Sequence, residues 1–97
     1  MQFSKELRED VVSGAISVSF RLWQSPRVKE GKRYVVGPAQ IEIDRVDLVA
    51  FGSITKSDIR QSGEPDIDTL RARAAHSGPI SDDTLVFRVE FHVVDDG

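Results

Sequence analysis

The sequence contains no cysteine, which excludes disulfide bonds, thiolate metal sites and cysteine nucleophiles. Histidine is almost as scarce, because His76 and His92 are the only two, and two histidines do not make a histidine-rich metal site. No apolar run approaches the ~18 residues that cross a bilayer, and the first residues lack the basic-then-apolar pattern of a secretory signal. We therefore expect a cytoplasmic protein that uses no metal, no cofactor and no membrane.

The motifs of the common enzyme classes are missing as well. There is no phosphate-loop glycine–lysine motif, no glycine fingerprint for a dinucleotide and no pair of histidines spaced for one helix face. Acidic residues cluster in one stretch, at Asp58, Glu64, Asp66 and Asp68. Carboxylates can act as general acids or bases, but they more often cap helices and solvate loops, and Asp66 is placed to cap a helix. We expect a surface role for His92 on the polar side of a strand, and His76 at a helix end can interact with the terminal carbonyls.

The composition that remains is that of an average soluble protein. The chain has 97 residues, of which 39% are apolar and 30% charged, and this predicts one globular domain over residues 1–97 with a modest core. Residues 1–36 carry seven Lys and Arg against four Asp and Glu, a net +3, whereas residues 37–97 carry six against twelve, a net −6. The basic stretch at 20–36 is typical of either an anion-binding surface or a solvated loop.

Hydrophobic periodicity predicts a helix followed by a strand. Phe3, Leu7 and Val11 recur every four residues, Ser4 is a suitable cap, and Gly14 offers a left-handed stop. From residue 16 the period changes to two, which predicts a strand over 17–22. The side chains that share its polar face are Ser17, Ser19 and Arg21.

The rest of the chain predicts short strands and two more helices. Strands are expected at 33–36, 40–51 and 84–94, and helical segments at 55–61, capped by Thr55 or Ser57, and from Asp66 to Gly78-Pro79. The apolar positions of 40–51 change phase near Asp44 and Arg45, as a β-bulge requires. This order, without regular strand–helix alternation, favours an α+β fold with a small curled sheet or barrel.

One constellation combines a cation, hydroxyl groups and aromatic rings. Beyond the face that carries Ser17, Ser19 and Arg21, the chain supplies further candidates, which are Trp23, Arg27, Lys29, Lys32, Arg33 and Tyr34. An arginine beside hydroxyls and an aromatic ring can bind a phosphate and stack a base. The alternative is that Trp23 and Tyr34 only fill the core.

The same segment resembles the ASCH family of the PUA-like superfamily, whose pattern is Gly-x-Lys-x-x-(Glu or Thr)-x-Arg after a first helix. Residues 14–21 read Gly-Ala-Ile-Ser-Val-Ser-Phe-Arg, and residues 28–37 read Val-Lys-Glu-Gly-Lys-Arg-Tyr-Val-Val-Gly, similar to the family's basic strand. The later strands and helix also follow in the family's order, so the resemblance spans nearly the whole chain. Gly14, Ser19 and Arg21 match the pattern, whereas Ile16 stands where the family has lysine.

The resemblance implies a PUA-like curled β-barrel of five to six mostly antiparallel strands with two to three short helices. It also implies a cleft, lined by the Gly14–Arg21 segment, that binds RNA, a nucleotide or a nucleoside. A small branch of the family removes the acetyl group from N4-acetylcytidine, with the motif lysine as base, the hydroxyl residue as nucleophile and a later glutamate assisting. Carried over, those roles fall on Ser19 and Glu64, but isoleucine at position 16 can take no proton.

Three functions therefore remain open from the sequence. The first is a small RNA- or nucleotide-binding module. In it Arg21 contacts a phosphate or a base edge, Ser17 and Ser19 hydrogen-bond the ligand, Trp23 or Tyr34 stacks on a base, and the basic loop steers the anion. The second is an amidohydrolase acting on a modified pyrimidine nucleoside. The third is a protein-interaction domain without a nucleic-acid ligand, which would expose an apolar patch.

Overall fold

The computed structural model describes residue 3 and residues 5–23, 25–74 and 79–94. Helices α1, α2 and α3 span Lys5–Ser13, Lys56–Gln61 and Ile67–Ala74. Strands β1 to β4 span Val18–Arg21, Arg33–Val36, Ala39–Ala50 and Leu85–Val94, and a 3-10 turn occupies Phe51–Ser53. Within this part of the chain, no helix has the length and apolar character needed to cross a membrane.

The helix ends follow the local sequence signals. Gly14 adopts a φ of 87° just after α1, the left-handed conformation that ends a helix. The side chain of Thr55 caps α2 by accepting from the backbone N–H of Asp58 at 3.1 Å, and Asp66 caps α3 by accepting from the N–H of Thr69 at 2.8 Å. The predicted cap of α1 at Ser4 lies outside the described residues, as do His76 and Gly78 at the predicted end of the later helix.

The four strands form one antiparallel sheet in the order β1-β4-β3-β2. This confirms the α+β class, but the predicted barrel of five to six strands is wrong, since the described residues form four strands in an open sheet. The physical reason is strand length: β1 and β2 have only four residues each and lie at opposite edges. Such short edges do not reach each other to close a barrel.

A β-bulge in β3 is present where the sequence predicts it. Ile43 pairs with Phe91, and Arg45 pairs with Glu90, so Asp44 is an extra residue in β3. The bulge changes the phase of the strand. As a result the apolar residues before and after it share one face of the sheet, namely Ile41, Ile43, Val46 and Leu48.

Each face of the sheet has its own core cluster. The α1 face is the side on which Val11 of α1 is buried, together with Ile16, Val28, Val36, Ile41, Ile43, Val89 and Phe91. The α2–α3 face is the opposite side, where the helices bury Ile59 and Leu70 against Val18, Phe20, Phe51, Ile80 and Val86. The remainder of the α2–α3 face carries charged side chains from β3 and β4. The sheet is therefore a layer between α1 and the α2–α3 pair.

The connection between β1 and β2 crosses the α1 face, because these strands are at opposite edges. Val28 is buried within the α1-face cluster, and Trp23 packs against it. The connection is fastened to β3: the N–H of Gly31 donates to the carbonyl of Ile43 at 2.7 Å, and a carboxylate oxygen of Glu30 accepts from the N–H of Val46 at 3.0 Å. We call residues 25–32 of this connection the crossing segment. The crossing segment and α1 cover the same side of the sheet.

Two glycines with similar backbone angles should respond differently to alanine. A Cβ at Gly14 (φ 87°) meets nothing within 4 Å, whereas one at Gly63 (φ 83°) would lie 2.5 Å from Cδ1 of buried Ile16. We expect Gly14→Ala to cost about 1–2 kcal/mol from the left-handed strain alone. Gly63→Ala should cost roughly 1–3 kcal/mol more because of overpacking. Urea unfolding measures the free-energy cost of each substitution. Ile16→Val removes Cδ1 and should therefore lower the cost of Gly63→Ala. An equal cost of Gly63→Ala in the wild type and in the Ile16→Val variant would contradict this packing.

Candidate functional site

Ser17, Ser19 and Arg21 lie on the α1 face, as the alternation predicts. All three are half-buried. Nε of Arg21 donates to Oγ of Ser19 at 2.8 Å, and its guanidinium carbon lies 5.0 Å from the ring centroid of Phe3, within cation–π range. Burial lowers the pKa of Arg21 from its ordinary value, yet an arginine stays charged in proteins. The strand thus holds a fixed, partly desolvated cation beside a hydroxyl group.

An apolar surface adjoins this cation. The half-buried ring of Trp23 lies 6.0 Å from that of Phe87, tilted by 38°. Phe87 is the register partner of both Arg21 and Leu48, so these side chains form one row across three strands. Leu48 is 53% exposed, as is Leu85. We call Ser17, Ser19, Arg21 and Trp23, with the row that ends at Leu48, the Arg21 site.

The basic loop places its charges in solvent. Arg27, Lys29 and Lys32 are exposed on the segment that crosses the α1 face. The hydroxyl of Tyr34 accepts from the backbone N–H of Lys29 at 3.1 Å, and its ring packs partly buried against the α1-face cluster. Tyr34 therefore holds the loop in place, which corresponds to the core alternative for this residue.

Arg33 does not join the other basic residues. Its register partner is Glu42, which belongs to the α2–α3 face, and its Nε lies 3.3 Å from Oε1 of Glu42. The register decides this, since adjacent residues of a strand point to opposite faces. Of the candidates in the loop, only Arg27, Lys29 and Lys32 remain as solvent-exposed cations on the crossing segment.

Glu64 is a buried carboxylate between α2 and α3. Its side chain is 4% exposed, and Oε2 lies 3.1 Å from Nε of Arg73. Oε2 has no hydrogen-bond partner among the described residues, so its contact with Arg73 is an ion pair. Burial raises the pKa of Glu64, the charge of Arg73 lowers it in part, and Asp66 raises it. A carboxyl group with a raised pKa can hold a proton nearer to neutral pH.

The segment that carries Glu64 also contacts Ile16. Ile16 packs against Gly63, the residue before Glu64, and the N–H of Ser17 donates to the carbonyl of Gln61 at 2.9 Å. The tertiary structure therefore joins the start of β1 to the end of α2. Ile16 is 3% exposed and belongs to the α1-face core, where it supplies packing but no proton-transfer group.

Two other acidic residues of the predicted cluster, Asp58 and Asp66, have structural partners, and Asp66 caps α3. Asp58 pairs with Arg88 at 3.0 Å, a contact that no sequence signal predicts because it joins α2 to β4. The sequence also missed Phe3, Phe87 and Leu48 as neighbours of Arg21. Their apolar character indicated burial, but only the pairing of β1, β4 and β3 brings them together.

His92 lies on the α2–α3 face, away from the Arg21 site. It is exposed, as predicted for a residue on the polar side of the strand. Nδ1 lies 2.8 Å from Oδ1 of Asp44, and Nε2 lies 3.8 Å from Oε2 of Glu42. The hydrogen bond with Asp44 raises the pKa of His92. Among the described residues, these three side chains form the group that could hold a metal ion.

The fold is similar to those of two solved structures. An ASCH domain from Lactobacillus crispatus JV V101 has a TM-score of 0.73 and 17% sequence identity, covering 91% of this chain and 70% of that one. Protein EF3133 from Enterococcus faecalis V583, of the DUF984 family, has a TM-score of 0.69 and 20% identity, covering 93% of this chain and 71% of that one. No family model and no curated protein matches the sequence. These likenesses confirm the predicted ASCH-like fold.

Removing the charge of Arg73 should raise the pKa of Glu64 further. That pKa is already above its ordinary value of 4.5 because of burial. Since the folded state binds the proton more tightly, the stability from this group is present below about pH 4.5 and is lost as the pH rises through the folded pKa. Arg73→Gln should therefore extend this stabilisation to higher pH. NMR titration of the Glu64 carboxyl carbon measures the pKa, and urea unfolding at several pH values measures the stability. Arg73→Lys keeps the positive charge and should leave the pKa of Glu64 close to that of the wild type. Exposed Arg60→Gln is the matched control, and an unchanged pKa of Glu64 in Arg73→Gln would contradict the pairing.

Proposed function

We propose that this protein is a small RNA- or nucleotide-binding module whose ligand lies against the Arg21 site. The observation that carries the proposal is the half-buried guanidinium of Arg21, oriented by Ser19 and Phe3 on the α1 face. An arginine with a fixed plane binds phosphate oxygens through paired N–H groups with little further loss of entropy. The ASCH-like fold supports the same general function.

The surroundings of Arg21 suit the other parts of a nucleotide. Trp23 follows two residues later, and its ring, backed by Phe87, can stack a base. Exposed Leu48 extends this apolar surface. The hydroxyl groups of Ser17 and Ser19 are hydrogen-bond donors and acceptors for a ribose or a base edge. The site thus combines an anion-binding group with a surface for a planar ring.

The exposed cations of the crossing segment have a steering role. Arg27, Lys29 and Lys32 raise the local positive potential on a protein whose net charge is −3. A local positive surface attracts a phosphate backbone even when the whole protein is acidic. Arg33 is left out of this role because it pairs with Glu42 on the other face. Tyr34 acts through the loop that its hydroxyl group holds.

The amidohydrolase alternative stays a prediction. A serine hydroxyl needs a neighbouring base, and two contacts count against it here: Oγ of Ser19 accepts from cationic Arg21, and Ile16 is packed in the core. Incubation of the purified protein with N4-acetylcytidine, followed by chromatography for cytidine, tests the activity. Cytidine formation that is lost in Ser19→Ala would favour the enzyme over the binding module.

Loss of Arg21 should weaken RNA binding. We expect Arg21→Gln to lower the affinity for a labelled single-stranded oligonucleotide by about tenfold or more, because a charged hydrogen bond to phosphate is lost. Fluorescence anisotropy at low salt measures this effect. Replacing Lys29 and Lys32 by Gln should reduce the slope of log affinity against log salt by about 0.7 for each phosphate contact removed.

The matched control lies on the opposite face. Arg45 is 66% exposed and pairs with Asp47 at 2.8 Å, so Arg45→Gln removes the same charge and should leave RNA affinity unchanged. Circular dichroism verifies that each variant folds. Affinities that are equal for wild type, Arg21→Gln and the Lys29/Lys32 double variant would contradict the binding module. Such a result would favour the interaction domain, for which exposed Leu48 and Leu85 offer an apolar patch.

A further inference from the structure

A second cluster of functional groups lies on the α2–α3 face, on the other side of the sheet from the Arg21 site. Glu42 of β3 and His92 of β4 are register partners, and Asp44 is the extra residue of the bulge. Each of the three offers one ligand atom, and these atoms all lie within 4.8 Å of one another. This is the spacing of side chains that can share one metal ion.

The bulge sets the geometry of the cluster. In a regular strand, residues 42 and 44 would point to the same side about 7 Å apart, since each residue advances the strand by about 3.4 Å. Here Asp44 reaches His92, with both carboxylate oxygens within hydrogen-bond distance of Nδ1, at 2.8 and 2.9 Å. The three side chains are held by β3 and β4, the two inner strands of the sheet. Ligands on paired inner strands are positioned more firmly than ligands on loops.

The ligand atoms indicate a class of ion. One imidazole nitrogen with two carboxylates suits zinc and the neighbouring transition metals, whereas magnesium and calcium prefer oxygen ligands alone. The side chains of Glu42, Asp44 and His92 are 32%, 40% and 50% exposed, so an ion can enter from solvent and water can complete its coordination. Arg33 contacts Oε1 of Glu42, whereas Oε2 of Glu42 lies 3.8 Å from Nε2 of His92.

We propose that Glu42, Asp44 and His92 form a binding site for a divalent transition-metal ion, with zinc as the ion to test. This site is independent of the proposed RNA-binding function, because it shares no residue with the Arg21 site and lies on the other face. The proposal departs from the sequence-based expectation that the protein uses no metal. The sequence does not bring these residues together, since the cluster takes one residue from β4 and two from β3.

Isothermal titration of the full, untagged chain with zinc chloride tests the proposal. We expect one saturable site per chain, and magnesium chloride at the same concentration should not compete. Asp44→Asn and His92→Gln should each weaken zinc binding by at least about tenfold, since even the loss of a residue that only orients a ligand typically costs about 10–100-fold. The matched controls are Asp47→Asn, which alters a carboxylate on the same strand and face, and His76→Gln, which removes the other histidine; both should bind zinc like the wild type.

A second measurement avoids dependence on the folding of the variants. In the wild-type protein, the ring signals of His92 should shift or broaden as zinc is added and should saturate at one equivalent, with His76→Gln used to assign the two histidines by NMR. No saturable binding at millimolar zinc would overturn the proposal, as would saturation without a change at His92. Equal competition by magnesium would also overturn it, because that result indicates screening of carboxylates alone.

Discussion

The pairing of β3 with β4, with one extra residue at Asp44, is the constraint on which the rest of the structure depends. Before the bulge Ile43 lies opposite Phe91, and after it Val46 lies opposite Val89. Without the extra residue, the second half of β3 would turn its apolar side chains away from α1. The bulge therefore keeps Ile41, Ile43, Val46 and Leu48 on one face and leaves Glu42, Arg45 and Asp47 on the other.

This separation places two kinds of chemistry on the two faces. The α1 face carries the Arg21 site, where a partly buried cation lies beside aromatic and aliphatic side chains. The α2–α3 face carries an open array of ion pairs, with His92 between two carboxylates and Arg88 between Asp58 and Glu90. Because the inner strands contribute to both faces, one register determines both clusters.

The side chain at position 16 has a packing role in this fold. Ile16 belongs to the core and contacts Gly63. The next residue, Glu64, pairs with Arg73. The surroundings of position 16 thus combine apolar packing with a neighbouring ion pair. Arg21 lies four residues beyond Ser17 and therefore shares the α1 face with it.

The sequence by itself determined the local features: the α1 stop at Gly14, the caps at Thr55 and Asp66, the alternation of β1 and the bulge at Asp44. Each depends on residues close together in the chain, where backbone geometry and side-chain periodicity act directly. Only the tertiary structure decided that the sheet stays open and that Arg33 turns away from Arg21. It alone brought His92 to Asp44, because strand order and register join residues far apart in the chain, and no short-range pattern encodes those distances.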